Sequence, residues 1–411
     1  MLELMESHAA KGGMRLLYTR RPDAYQSYLA ECPRAEMTLC LDDADRLRAQ
    51  VVCLPREYYV DGQVCTLGYV TGLHKAQGAF VNLLRLFDAG FERSAASQFF
   101  CSVLDDNSEV LELFVKHDVL QEICAYTTYL INPRALRPLA ALGRAAQPGQ
   151  AQPQPGQLSP ARQQPGQQQP AQAQAQPAQQ HAARQQPALP QPQPQPQPQP
   201  LAFRRATPGD TERLLRFYQQ QGPRYSFFPV ISAVTDFPGL SITDFYLLQD
   251  ANGIAAACAL WDQRPFKQYI ALGYQGIYRL ASRCNPLLHA LRYPQLPKVG
   301  TTASVAHLSF LLARADRPQA TQLLLGEMSQ AAQDYDCIVI GTIKDDPLDT
   351  TLKPLKTLKL TSHLCTLNLG SSALSFGKGN LSPNASNLEP NSSNLDLTQL
   401  THPPHFACSL L

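Results

Sequence analysis

Along this chain, apolar residues alternate with polar ones in some stretches and recur at every third or fourth position in others. Residues 37–41 and 49–59 read as strands, and the Asp-Gly turn of YVDGQ joins the second of them to 64–70 as a hairpin. Val81, Leu84, Phe87 and Phe91 stand at helical spacing, so 80–91 reads as a helix. A strand over 99–104, a helix over 109–117 and a strand over 123–131 follow. The order is strand hairpin, helix, strand, helix, strand, which predicts a mixed α/β sheet.

A second region repeats that plan. Residues 211–220 read as a helix with Asp210 as its cap. Residues 245–249 and 254–261 read as strands around the turn QDANG. A strand over 305–313, a helix over 318–332 opened by a proline, and strands over 337–342 and 362–369 complete it. The two regions align poorly but share an element order, which predicts an internal duplication of one α/β unit. Between them, residues 147–200 are almost all Gln, Pro and Ala, ending in PQPQPQPQPQP. Such a segment cannot bury a core and reads as a disordered, extended spacer. The alternative is a docking site for a partner that binds Pro-rich chains. Residues 371–411, rich in Ser, Asn and Pro, read as a disordered tail. The folded domains are therefore 1–146 and 201–370.

Composition narrows the functional classes. The 411 residues carry a formal net charge of +2 with no dense Lys/Arg stripe, which argues against a nucleic-acid partner. No long apolar run marks a membrane span, and the start, MLELMESHAAKGG, lacks the pattern of a secretory signal. A cytoplasmic protein with no membrane partner is the expectation. Eleven cysteines, scattered singly and without a CxxC, fit buried reduced thiols better than disulfides or a metal site.

Candidate chemistry lies at residues 72–80, GLHKAQGAF. A basic turn between a strand and a helix suits a phosphate, because a helix N-terminus offers unpaired N–H groups and the positive end of its dipole. His74, Lys75 and Gln77 supply donors. Gly78 and Ala79 are small enough for close approach. The bland alternative is a surface corner that needed a glycine. Downstream, SVLDDNSEV sets Asp106-Asn107 between a strand and a helix.

Hairpin, basic loop, helix, strand, "DN" and helix together resemble the GNAT-type N-acyltransferase superfamily. Residues 14–133 are similar to bacterial GNAT-like proteins through Arg21-Pro22, Tyr59-Val60-Asp61-Gly62, Gly68-Tyr69 and Asp106-Asn107. The second region, with ALWDQRPFKQYIALGY, resembles the C-terminal half of tandem members. The resemblance implies two GNAT-like acyl-CoA N-acyltransferase domains in tandem. It implies transfer from acetyl-CoA, or another acyl-CoA, to a small-molecule or peptide amine. It also places the pyrophosphate at His74, Lys75, Gln77, Gly78 and Ala79, with Asn107 beside it.

The chain departs from the family pattern in three respects. Phe114 stands where many members place a tyrosine that protonates the leaving thiolate. Phe80 replaces the last small residue of the loop. The opening strand of the family is missing or supplied from elsewhere. Carboxylates are scarce near the site, so Glu57 and His307 are the candidate general bases. Glu57 also reads as an exposed hairpin residue, and His307 as a packed core histidine. A non-catalytic binding or scaffold protein that senses acyl-CoA is the competing expectation.

Overall fold

The computed structural model describes residues 1–7, 13–79, 86, 89–107, 111–112, 114, 119–145, 200–344, 346–368 and 397–405. The first part of the chain forms α1 (Leu2–Glu6), β1 (Met14–Thr19), α2 (Ala24–Glu31), β2 (Glu36–Leu41), β3 (Leu47–Val60), β4 (Gln63–Lys75), β5 (Gln98–Leu104), β6 (Leu120–Ile131) and α3 (Arg137–Ala145). The second opens with β7 (Ala202–Arg205), α4 (Thr211–Gln221), β8 (Phe245–Asp250), β9 (Gly253–Trp261) and β10 (Gln268–Tyr274). It continues with α5 (Gly276–Arg283), α6 (Asn285–Ala290), β11 (Val305–Ala313), α7 (Ala320–Ala331), β12 (Cys337–Ile343), α8 (Pro347–Leu352) and β13 (Thr357–Leu367).

Eleven of these strands form one sheet in the order β2-β3-β4-β5-β13-β6-β12-β11-β9-β8-β7. The order shows a duplication with an exchange. In the first half, antiparallel β2, β3 and β4 lead to β5, which runs parallel to β4. In the second, antiparallel β8, β9 and β11 lead to β12, which runs parallel to β11. Each half then takes its next strand from the other. β13, from the end of the chain, fills the slot beside β5, while β6, from the first half, fills the slot beside β12. β6 and β13 pair antiparallel along their whole length and close the sheet at its centre. The two halves are thus repeats of one unit, as their element order predicts, but they share a single hydrogen-bond ladder.

β1 departs from the expected missing opening strand. It is present, and it pairs with β10 of the second half in a separate two-stranded sheet. The hairpin turn at Asp61-Gly62 is where the sequence places it. Its carboxylate accepts the Ser226 hydroxyl at 3.1 Å and the backbone N–H groups of Thr401 and His402 at 2.9 and 2.8 Å. That corrects the expected disordered tail in one stretch. Within 397–405, Leu397 is buried, and the His405 ring packs on Tyr225 and Phe228. Asp210 also acts differently from expectation. Its carboxylate binds Arg204 and the Thr207 N–H instead of capping α4. The Gln/Pro segment lies outside the described residues, as do most of the two helices read over 80–91 and 109–117. Leu86, 89–91, 111–112 and 114 are helical where those helices were read.

Helices α3 and α7 come from different halves and cross at van der Waals range. A Cβ on Gly326 would lie 2.1 Å from the Ala140 backbone nitrogen, and one on Gly143 would lie 2.6 Å from the Leu323 nitrogen. Close crossings of this kind place backbone against backbone, so neither side can yield by turning a side chain. The contact seals a core that includes Leu139, Leu323, Leu324 and Ile340. Gly326→Ala should therefore destabilise the protein by about 1–3 kcal/mol, despite alanine's better helix propensity. Gly273→Ala, where nothing lies within 4 Å of the added carbon, should stay within about 0.5 kcal/mol of the parent. Denaturant titration of both variants checks the contrast.

Candidate functional site

β4 and β5 pair at only three positions, Leu67↔Gln98, Gly68↔Phe99 and Tyr69↔Phe100. Beyond them β4 runs on to Lys75 and β5 to Leu104, with no ladder joining them. Parallel strands that separate in mid-sheet open a wedge between their edges. Here the wedge is a cavity of about 290 Å³ lined by Tyr69, Thr71, Cys101, Ser102, Asn107 and Phe114, among others. Its walls are mainly apolar with a few polar groups, which is the usual make-up of a small-molecule site.

Local sequence builds each wall. β4 bulges opposite Gln50–Val52, a device that bends a strand and frees part of its backbone from the ladder. Gly72 sits in the bulge beneath the Tyr28 hydroxyl, and a Cβ there would stand 2.3 Å from that oxygen. At the apex, the Tyr69 hydroxyl lies 2.9 Å from the Ser102 Oγ and bridges the two strands where their ladder ends. Burial pushes the Tyr69 phenol well above its ordinary value, so it stays protonated.

The pyrophosphate candidates occupy the continuation of the β4 wall. His74 and Lys75 are strand residues, paired with Gln50 and Ala49, and not part of the turn as the sequence suggests. Ladder hydrogen bonding to β3 carries the strand from the end of its apolar run at Val70 on to Lys75. The turn itself is 76–79, held by the Ala79 N–H on the Ala76 carbonyl and by the Arg48 guanidinium on the Gln77 carbonyl. Gly78 has φ +74° with open space around it, a left-handed conformation that glycine adopts without strain. Of the six cofactor candidates, Asn107 lines the cavity, and the other five stand on the extension of its wall.

The two candidate bases are not brought to the cavity. Glu57 is exposed on β3 and lines a different cavity, of about 410 Å³, with Arg34, Arg56 and Asp236. His307 sits at the last paired position of β11 and β12, His307↔Val339, the counterpart of Tyr69↔Phe100. The second pair of parallel strands also separates after three positions. There Leu308, Leu311 and Ile340 are buried in one cluster with α7, so protein fills that space. Burial, reinforced by Lys267, pushes the His307 imidazole down to about 3. A group in that state is a packed neutral histidine, and it cannot serve as a base at neutral pH.

A buried ionic cluster that sequence reasoning missed lies close by. Arg20 binds the Glu31 carboxylate at 2.7 Å, and Lys267 from the second half binds its other oxygen at 3.2 Å. Arg20 also stacks 3.7 Å from the Tyr28 ring centre and donates to Ser27. Burial alone would raise the Glu31 carboxyl, but Arg20 and Lys267 outweigh it and hold the pKa below the usual range. Glu31 neighbours Tyr69 across a closed space, yet with both oxygens engaged it acts as a counter-ion. Nothing local in the sequence marks this cluster, because its partners meet only through the tertiary fold. The Tyr69–Ser102 bridge escaped for the same reason.

No known family profile matches the chain, and no curated protein does. Among solved structures, the chain is similar to a GCN5-related N-acetyltransferase from Anabaena variabilis. Identity is 8% over 84% of this chain and 66% of that one, with a TM-score of 0.43. A GCN5-related N-acetyltransferase from Kribbella flavida gives 10% identity over 80% and 59%, with a TM-score of 0.40. The Saccharomyces cerevisiae N-myristoyltransferase with bound myristoyl-CoA gives 9% over 89% and 75%, with a TM-score of 0.48. The chain is similar to GCN5-related acyltransferases. Likeness at this level is similarity alone, and the chain spans two thirds or less of the two bacterial proteins.

The pKa of His307 sets a pH dependence. Its folded value of about 3 lies below the ordinary 6.5, so the unfolded chain takes up the proton first as pH falls. The stability this neutral imidazole contributes is complete above pH 6.5 and is lost as pH drops towards 3. Glu31, also lowered, acts in the same sense below its ordinary range. Between pH 7 and pH 4 the parent should lose about 3 kcal/mol more than a His307→Leu variant. Urea midpoints measured across that interval check this, and parallel curves would contradict it.

Proposed function

We propose that the chain is an acyl-CoA-dependent N-acyltransferase, with acetyl-CoA or another acyl-CoA in the β4/β5 cleft and an amine as acceptor. The observation that carries this reading is the separation of β4 and β5 after three paired residues. It leaves two strand edges facing each other across an apolar slot, so an extended chain bearing amides can pair with them as a strand would. An acyl-CoA presents such a chain in its pantetheine arm. The residues present fit the rest of the molecule. Lys75 and the open turn at Gly78 extend the β4 wall towards the phosphates, and Asn107 offers a side-chain amide at the cavity.

When bound, the thioester supplies the activated acyl group. The protein's own part is to orient it and to manage charge. Thr71, Gly72 and Leu73 line the slot at the bulge, and we assign the stabilisation of a developing oxyanion to a backbone N–H of this stretch. Phe114 carries no proton to give. We assign that role to the Tyr69–Ser102 hydroxyl pair at the apex, which is protonated at every ordinary pH. No carboxylate lines the cleft among the described residues. An amine acceptor would then lose its proton to water or arrive already neutral.

That absence, with Phe114, favours a second reading in which the cleft binds acyl-CoA without turning it over. Isothermal titration of the full chain with acetyl-CoA tests both. Saturable binding is expected, weakened about tenfold or more by Thr71→Trp, which fills the slot, and by Gly78→Glu, which strains the turn and adds a negative charge. No binding by the parent overturns both readings. Binding with no CoA release across a library of primary amines leaves the second. If release is seen, Tyr69→Phe should lower kcat by about a hundredfold with binding retained, and Phe114→Tyr should raise it.

A further inference from the structure

Helices α5 and α6 are peripheral: neither has a buried residue, although Tyr278 packs against Gly13 and His289 lies within reach of Asn132. Ile277, one turn from Leu280 on α5, is 77% exposed and Leu280 65%; Leu287 on α6 is 57% exposed, and Val299 in the segment beyond it 60%. Half of the fourteen large hydrophobics exposed among the described residues fall between 272 and 299. Isolated exposed leucines are ordinary, but such a concentration in one short segment of a folded protein marks a contact surface.

Charge identifies what that surface meets. No Asp or Glu occurs between Asp262 and Asp316. Arg279, Arg283, Arg292 and Lys298 all lie within that interval, are exposed, and make no ion pair among the described residues. Arg15, also exposed, joins them from β1, where it pairs with Gly273 just before α5. Basic groups interspersed with exposed apolar residues, with no Asp or Glu in the same interval, complement a surface that is oily within and anionic at its boundary. A bilayer leaflet with anionic headgroups has that character. A protein partner would need an apolar patch ringed by acids, and nothing in the fold favours that second coincidence.

We infer that α5, α6 and the segment that follows to Val299 form a membrane-surface anchor that lays Ile277, Leu280, Leu287 and Val299 into an anionic leaflet, with Arg279, Arg283, Arg292 and Lys298 on its headgroups. The expectation of no membrane partner came from the lack of a span. A helix that lies on the surface needs none, since it buries one face only to the headgroup boundary.

Sedimentation of the full chain with sucrose-loaded vesicles tests this. Vesicles of equal parts phosphatidylcholine and phosphatidylserine should carry the protein down, and phosphatidylcholine vesicles should carry about tenfold less or weaker. The doubles Ile277→Ser with Leu280→Ser, and Arg279→Glu with Arg283→Glu, should each lower binding by about tenfold or more with thermal unfolding unchanged. Failure to sediment with the anionic vesicles overturns the inference, as does equal binding to both compositions. Dimerisation in lipid-free buffer that the Ile277→Ser, Leu280→Ser double abolishes also overturns it, because a second copy of the chain would then own the face.

Discussion

Every backbone N–H and C=O inside a sheet must find a partner, and in this protein the partners of each half come from the other. β13 completes the ladder of β5, and β6 completes that of β12. This exchange fixes the centre of the sheet. Because β5 is held on its outer side by β13, it cannot follow β4 when β4 bends away at its bulge. The strands part, and the cleft is what remains. The same constraint acts at β11 and β12, where side chains of the core occupy the gap instead. One topology thus yields two wedges, one open and one sealed.

The residues at the two apices show how duplicated frames diverge. Tyr69 and His307 hold the same register position, each at the last paired residue before separation. Tyr69 reaches a hydroxyl partner across the strands and faces the cavity. His307 is enclosed, and its Nδ1 has no hydrogen-bond partner among the described residues. A polar atom kept in such a place costs stability unless the surroundings compensate. Burial above all, with Lys267 nearby adding to it, penalises the charged imidazole and keeps the ring neutral.

Much of the frame was legible beforehand because local patterns wrote it. Short runs rich in apolar and β-branched residues mark β2, β3, β5 and β6, the Asp-Gly pair marks the hairpin, and the repeated element order marks the duplication. What was not legible is non-local. No periodicity tells that β13 leaves its own half, or that β1 pairs with β10. β10, α5 and α6 escaped because they are short, at seven, eight and six residues, too brief for a period to stand out. At the site, the resemblance drew attention to β4, one wall of the cavity. It set His74 and Lys75 in a loop when β3 holds them in the strand, and it offered Glu57, which faces another cavity. The hydroxyl pair and the ionic cluster are contacts between distant segments, which single-sequence reasoning cannot pair.

The cluster of Arg20, Glu31 and Lys267 bears on how a ligand enters. Two of its members belong to the first half and one to the second, and all are out of water. A hinge that parted the halves would strand Glu31 with a cation missing, in a medium that barely screens the loss. The shared ladder would have to break with it. A ligand of the proposed cleft would therefore meet a frame already in place, not one assembled by the closing of two domains.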